Sequence, residues 1–476
     1  MKRSLRLTLL LALLAAAAYP AYRALRPPGR WNVLVVLVDT LRADRLGAYG
    51  HSRDTSPVLD ALAADGTLFE ECFAPAPWTI ASTATLLTGL EPFVHGFVRP
   101  ELAPLSAHAI TLAEVLRGRG FRTAAFSGNL LVGKLTGFDQ GFDTFETVVW
   151  SEARGLNERA TKWLDDNARG GRFFLYMHYF DPHDPYADPE GIWKSYAGLA
   201  AGEDPGVEAC PNGDIEAVFQ VLREGKDPGL SPADLRRLAD RYDGEIRFAD
   251  GEIGKLLAHI RSLGVEDETL VVFVSDHGEQ FLEHGGLKHG SSLHREELHV
   301  PLVFRVPGAR DPGERRADRV GLVDVFPTVL SALGIELPGA VDGRDLFRAE
   351  PDPDRIVFSE TSHGWATIGG KRKEGQVLLA GRGPGGRTVI VGPEGSAGYP
   401  RVYEGPGEAE NVSGTGAEWE GEIAAAVARW RAETAARVLP NRPLSPEEQA
   451  EIRERLIQLG YVARPKPLES QDGDEE

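Results

Sequence analysis

The feature that most constrains this chain is a set of short, almost uninterrupted apolar runs, each ending on residues that can do chemistry. Asn32 to Val38 reads NVLVVLV and is followed by Asp39. Arg172 to His178 reads RFFLYMH and runs into Asp181-Pro182-His183-Asp184-Pro185-Tyr186. Thr269 to Ser275 reads TLVVFVS and ends at Asp276-His277-Gly278. A strand that is apolar at successive positions has no solvent face and must be covered on both sides. Helical patterns separate these runs. They lie at Thr55 to Asp65 with Pro57 at the start, Leu112 to Gly118, Ser231 to Leu263 (one or two long helices), and Asp324 to Leu333 with Pro327 in the first turn. Further strands are expected at Phe121 to Ser127 and Val300 to Val306. The alternation predicts an α/β, doubly wound, mostly parallel sheet sandwiched by helices. In such sheets ligands gather beyond the carboxyl ends of the strands.

After about Pro353 the texture becomes Gly-rich, with short apolar stretches at Arg355 to Glu360, Gln376 to Leu379 and Arg387 to Val391. These predict a small C-terminal antiparallel-sheet subdomain over 353–415. Helices follow within 416–463, then an acidic disordered tail at 464–476. Ser445-Pro446-Glu447-Glu448 has the spacing of a capped helix start. The main domain is then 31–352. At the other end Lys2, Arg3 and Arg6 precede an apolar run from Leu7 to Ala18. That pattern sets 1–30 apart as a signal peptide or N-terminal membrane anchor plus linker, and places the rest outside the cytoplasm, periplasmic or extracellular or held at the membrane.

A net charge of −19 argues against nucleic-acid binding, which needs a basic footprint. It leaves room for an anionic substrate where a metal supplies local positive charge. The two cysteines, Cys72 and Cys210, define neither a disulfide framework nor a zinc site and are expected to be unpaired. No oligomeric state is readable.

Trp78 to Gly89, WTIASTATLLTG, reads as a loop feeding a helix, with Thr79 at or near the N-cap and Gly89 near the C-cap. An ordinary capped helix would look the same. A helix N-terminus nevertheless presents unpaired N–H groups to an oxyanion. Asp39, Asp276, His277 and Thr79 together offer two carboxylates, an imidazole and a hydroxyl, which can surround one divalent cation. The Asp/His mix suits zinc or manganese. Contact with such a cation lowers a hydroxyl's pKa and prepares a nucleophile.

At this point the chain resembles the sulfatase family of the alkaline phosphatase superfamily. The resemblance rests on NVLVVLVDTLRADRLGAYG (32–50), TIASTATLLTGLEPFVHG (79–96), HYFDPHDPY (178–186), YDGEIRFADGEIGKLL (242–257), VSDHGEQFLEHG (274–285) and HVPLVF (299–304). It implies an alkaline-phosphatase-like fold, with Asp39, Asp276 and His277 as metal ligands and Thr79 at the nucleophile position. It further implies that His183 contacts the transferred group or the leaving oxygen. Lys288 or His289 falls where the family places a basic residue over that group, and Asn129 where a further polar contact is usual. His284, His294 and His299 read as surface or turn histidines.

The departures redirect the chemistry. Sulfatases with an oxidised formylglycine nucleophile show Cys or Ser, a residue, Pro, a residue and Arg, where this chain has Thr79, Ile80, Ala81, Ser82 and Thr83. Thr40 stands where calcium sulfatases carry a second Asp, and His277 where they usually carry Asn. The set is more similar to phosphonate and phosphodiester hydrolases and phosphoethanolamine-type transferases. The expected protein is a metal-dependent hydrolase or transferase of phosphate or sulfate esters, with Mn or Zn favoured over Ca and Thr79 as covalent nucleophile. Phosphoester chemistry is preferred. The alternatives are an arylsulfatase-type sulfuric ester hydrolase without formylglycine and a non-catalytic, membrane-anchored metal- or anion-binding protein. The loop from Ala187 to Asp227 is expected to set the organic part of the substrate.

Overall fold

The run Asn32–Val38 forms a strand whose residues divide between two apolar layers. Val33, Val35 and Leu37 pack on one side, and Leu34, Val36 and Val38 on the other. The structure, a computed structural model, describes residues 31–98, 103–148, 152–199, 210, 213–308, 311–361, 377–393, 398–442 and 444–458. The leader expected at 1–30, the tail expected at 464–476, Gln376 of an expected strand and part of the expected substrate loop lie outside the described residues.

The strands are β1 (Asn32–Val38), β2 (Thr67–Phe73), β3 (Arg122–Ser127), β4 (Thr144–Thr147), β5 (Phe173–Tyr179), β6 (Thr269–Ser275), the short β7 (Gln280–Phe281) and β8 (Leu287–Lys288), β9 (Leu302–Arg305) and β10 (Glu314–Gly321). Eight of them form one sheet in the order β10-β2-β9-β6-β1-β5-β3-β4. All neighbours are parallel except β9, which runs antiparallel to both β2 and β6. The helices Thr79–Thr88, Leu112–Gly118 and Val325–Ala332 cover one face. Pro57–Asp65, Ala153–Asn167 and Pro232–Ser262 cover the other. This is the α/β architecture expected from the sequence. The stretch read as one or two long helices is a single helix of 31 residues, opened by a Ser231–Asp234 capping box with Pro232 at its first position.

A strand that is apolar on both faces does not fix its own register, because a one-residue slip still buries apolar side chains. Here a polar clamp fixes it. Buried Asn32 donates from Nδ2 to Thr269 Oγ1 (3.4 Å) and accepts from the Phe173 backbone N–H (3.1 Å), tying β1 to both neighbours at one end. At the far end the register pairs Val38 with Ser275 and with Tyr179, and His178 with Ser127. The carboxyl ends of four adjacent parallel strands are thereby level.

A second, antiparallel sheet follows in the order β11 (Val357–Thr361), β12 (Leu378–Gly383), β13 (Arg387–Val391) and β14 (Arg401–Tyr403). Cys72 and Cys210 are buried and unpaired. Among the described residues, no helix is long and apolar enough to cross a membrane.

Candidate active site

Asp39 immediately follows β1, Asp276 and His277 follow β6, His178 is the penultimate residue of β5, and Asn129 lies two residues beyond β3. The level strand ends therefore bring residues far apart in sequence to one place. Thr79 arrives separately, as the first residue of the Thr79–Thr88 helix, with Trp78 as its N-cap. All ten residues of this helix are buried, and Gly89 closes it at φ 68 with its N–H on Thr85 O. Small side chains at Ala81, Ser82 and Ala84 suit a helix enclosed on all sides.

Asp39, Asp276 and His277 each offer a ligand atom, and these atoms lie within 4.8 Å of one another. His277 Nδ1 meets the Gly278 carbonyl at 3.0 Å. A carbonyl only accepts, so the ring proton sits on Nδ1 and Nε2 carries the lone pair. That nitrogen faces Thr79 Oγ1 at 3.3 Å, Asp276 Oδ2 at 3.5 Å and Asp39 Oδ1 at 3.6 Å. Neither of these two carboxylate oxygens has a hydrogen-bond partner among the described residues, although both are buried. Two buried carboxylate oxygens that face each other's lone pairs, with the Thr79 hydroxyl aimed at His277 Nε2, are costly unless a cation occupies the centre. The donor set thus fits one divalent ion.

The electrostatics agree. Burial pushes the Asp276 carboxyl up, and the charge of Asp39 adds to it. Burial also works to raise Asp39, but the His178 hydrogen bond and charge outweigh it and hold Asp39 low. The loop after Asp39 is strained. Thr40, a β-branched residue, sits at φ 55, in the left-handed region. It is pinned by its N–H on Asp276 Oδ1 (3.2 Å) and by Tyr242 Oη donating to its carbonyl (2.6 Å).

Asn129 Nδ2 donates to Asp39 Oδ2 at 2.7 Å and lies 3.5 Å from Thr79 Oγ1. His183 is buried, stacks on Phe180 (4.4 Å between ring centroids) and meets His289 edge-on at 5.0 Å. His289 in turn lies 4.4 Å from the His277 ring. Of the two basic residues expected over the transferred group, the structure brings His289 to the cluster. Lys288 Nζ is held by Glu216 (2.6 Å) and Asp184 (3.0 Å). Burial works against its charge, but these carboxylates outweigh it and keep it an ammonium.

Two participants were missed in the sequence. His178 Nε2 binds Asp39 Oδ2 at 3.1 Å. Glu279 joins His289 Nδ1 (3.0 Å) to Tyr186 Oη (3.0 Å). The signal for Glu279 was its place two residues after His277. His294 and His299 are buried and not surface residues, whereas His284 lies partly exposed in a turn. His284 and His294 stack at 3.7 Å against Glu408 from beyond β14, and His299 is buried beside Phe73.

The sulfatase family profile matches residues 31–335. The chain is 29% identical over 437 residues to the steryl-sulfatase of Mus musculus, covering 70% of this chain and 66% of that protein. It is 26% identical over 405 residues to the multifunctional alkaline phosphatase superfamily protein PehA of Trinickia caryophylli, covering 68% of this chain and 78% of that one. Its fold is similar to that of the phosphonate monoester hydrolase of Agrobacterium radiobacter, with a TM-score of 0.67 at 22% identity over 87% of this chain and 97% of the other. A family match over more than half of the chain, on a fold of that type, leaves one assignment: the chain belongs to the sulfatase family of ester hydrolases.

Proposed function

We propose that this protein is a metal-dependent hydrolase or transferase of phosphoesters in which Thr79 is the covalent nucleophile. The observation that carries this reading is the position of Thr79 Oγ1, at a helix start and 3.3 Å from His277 Nε2, over the partnerless oxygens of Asp39 and Asp276. Asp39, Asp276 and His277 would hold a divalent cation, which would supply Lewis acidity to lower the pKa of a neighbouring hydroxyl and offset charge on the transferred oxygens. The imidazole in the donor set favours zinc or manganese over calcium.

Thr79 loses its proton to solvent and attacks phosphorus. The bond from phosphorus to the leaving oxygen breaks, and the leaving oxygen takes a proton from His183 or His289. Water or an acceptor alcohol then returns a proton to that histidine and attacks phosphorus, and the bond from phosphorus to Oγ1 breaks, freeing Thr79, which regains its proton from solvent. Asn129, between Asp39 and Thr79, keeps Oγ1 in line. The first-turn N–H groups of the Thr79–Thr88 helix favour the anionic group.

The preference for phosphorus over sulfur rests on the side chain at position 79. A formylglycine hydrate expels sulfate through its second hydroxyl, and a threonine has none. Cys72 offers no substitute, since it lies buried within β2. Export or anchoring through residues 1–30 is part of the same proposal and rests on the sequence alone.

The test is turnover of paired p-nitrophenyl phosphate, phosphodiester, phosphonate and sulfate esters by zinc- or manganese-loaded protein, with peptide mass spectrometry. Phosphorus-ester turnover with a phospho-adduct on Thr79 is expected. Thr79→Ala is expected to abolish turnover while the metal is retained. Turnover of the sulfate ester alone would overturn the phosphoester preference.

A further inference from the structure

Asp39 presents its two oxygens unequally. Oδ2 receives Asn129 Nδ2 at 2.7 Å and His178 Nε2 at 3.1 Å, while Oδ1 receives no hydrogen bond from the described residues. His178 is itself held from behind, with Tyr176 Oη 3.1 Å from its Nδ1. Tyr176 and His178 are two residues apart on β5, so their side chains leave the same face of the sheet. His178 lies beside Leu37 of β1, two residues before Asp39.

The proton positions follow from these contacts. Tyrosine keeps its proton below about pH 10. When the phenol donates to Nδ1, the imidazole proton must sit on Nε2, where the Asp39 carboxylate accepts it. The opposite tautomer would aim the Nε2 lone pair at a carboxylate oxygen.

We infer that Tyr176 and His178 form a positioning pair that turns Oδ2 of Asp39 away from the cation pocket and presents Oδ1 alone to it. The pair acts through Asp39. The inference rests on the metal reading above. Hydrogen bonds behind a metal ligand set its orientation and basicity, and losing one typically costs about 10–100-fold in affinity.

Cobalt(II) titration of the EDTA-stripped full chain tests this without turnover. The visible cobalt spectrum reports how many atoms coordinate the ion. His178→Leu and Tyr176→Phe are expected to weaken cobalt binding by about 10–100-fold and to alter the spectrum, because Oδ2 then depends chiefly on Asn129 and is less firmly turned away. His178→Gln, whose amide N–H reaches where Nε2–H lies, is expected to restore most of the affinity. A buried residue that only fills space would leave the spectrum unmoved in Tyr176→Phe. Wild-type affinity and spectrum in Tyr176→Phe overturn the inference, and that variant decides alone if His178→Leu does not fold. Wild-type protein that binds no cobalt overturns the metal reading itself, which is a different result from a wild type that binds and a Tyr176→Phe variant that matches it.

Discussion

Replacing Asp276 by Asn is expected to stabilise the metal-free protein while destroying its metal binding. Burial and the Asp39 charge raise the Asp276 pKa from 3.8 to about 6. A tenfold change in proton affinity is worth about 1.4 kcal/mol, so the ionised carboxylate costs the metal-free fold about 3 kcal/mol. The sign follows from the direction of the shift. A raised carboxyl pKa gives stability that is complete below 3.8 and is lost as pH rises through about 6. The asparagine carbonyl can keep the two contacts now made by Oδ1, from Thr40 N and His277 N. Its amide then stands in place of Oδ2, the first proton donor among the partnerless atoms. Urea denaturation of EDTA-treated protein at pH 4 and pH 8 measures the difference. Asp276→Asn is expected to match wild type at pH 4 and to exceed it by about 3 kcal/mol at pH 8. Saturating zinc or manganese is expected to stabilise wild type and leave the variant unchanged. A variant less stable than wild type at pH 8 without metal, or equally favoured at both pH values, would refute the reasoning.

Four further outcomes are expected. Asn32→Ala removes the clamp on β1 and leaves Thr269 and the Phe173 N–H without it; denaturation is expected to show a loss of about 1–3 kcal/mol, with weaker metal binding although the change lies at the opposite end of the strand from Asp39. Gly278→Ala would place Cβ 2.1 Å from the Glu296 carbonyl oxygen and 3.1 Å from Arg42 Cγ, so the turn carrying His277 must move; a cost of about 1–3 kcal/mol and a fall in metal stoichiometry by elemental analysis are expected. His289→Asn is expected to lower kcat about 10²–10⁴-fold with metal content intact, whereas Lys288→Met is expected to act on stability, since its ammonium answers Asp184 and Glu216.

The group that could hold a metal was legible because Asp39 and Asp276-His277 break apolar runs abruptly, at the strand ends where an α/β sheet places its ligands. His178 was not, because it ends the run RFFLYMH and reads as one more buried strand residue. Its role depends on register, which a doubly buried strand does not encode in its alternation. The strand β10 escaped for the opposite reason. Its sequence ERRADRVG is charged and partly exposed, as suits an edge strand that must not recruit another chain. In β2 the adjacent Glu70 and Glu71 mask the pattern, and Glu71 is paired with Arg295, far along the chain. His294 and His299 misled because their partners, Glu408 and the backbone of Glu70, are remote in sequence.

The central place of β1 has a consequence for biosynthesis. Its two neighbours, β5 and β6, emerge from the ribosome long after it, and Asn32 waits 237 residues for Thr269. At ordinary translation rates that interval is roughly 10–50 s. Throughout it NVLVVLV is an apolar segment without a partner on one side, the kind of stretch on which chaperones act. The three residues that could hold a cation come together only when Asp276 and His277 arrive, so metal uptake would report the docking of β6 on β1 and not an early step of folding.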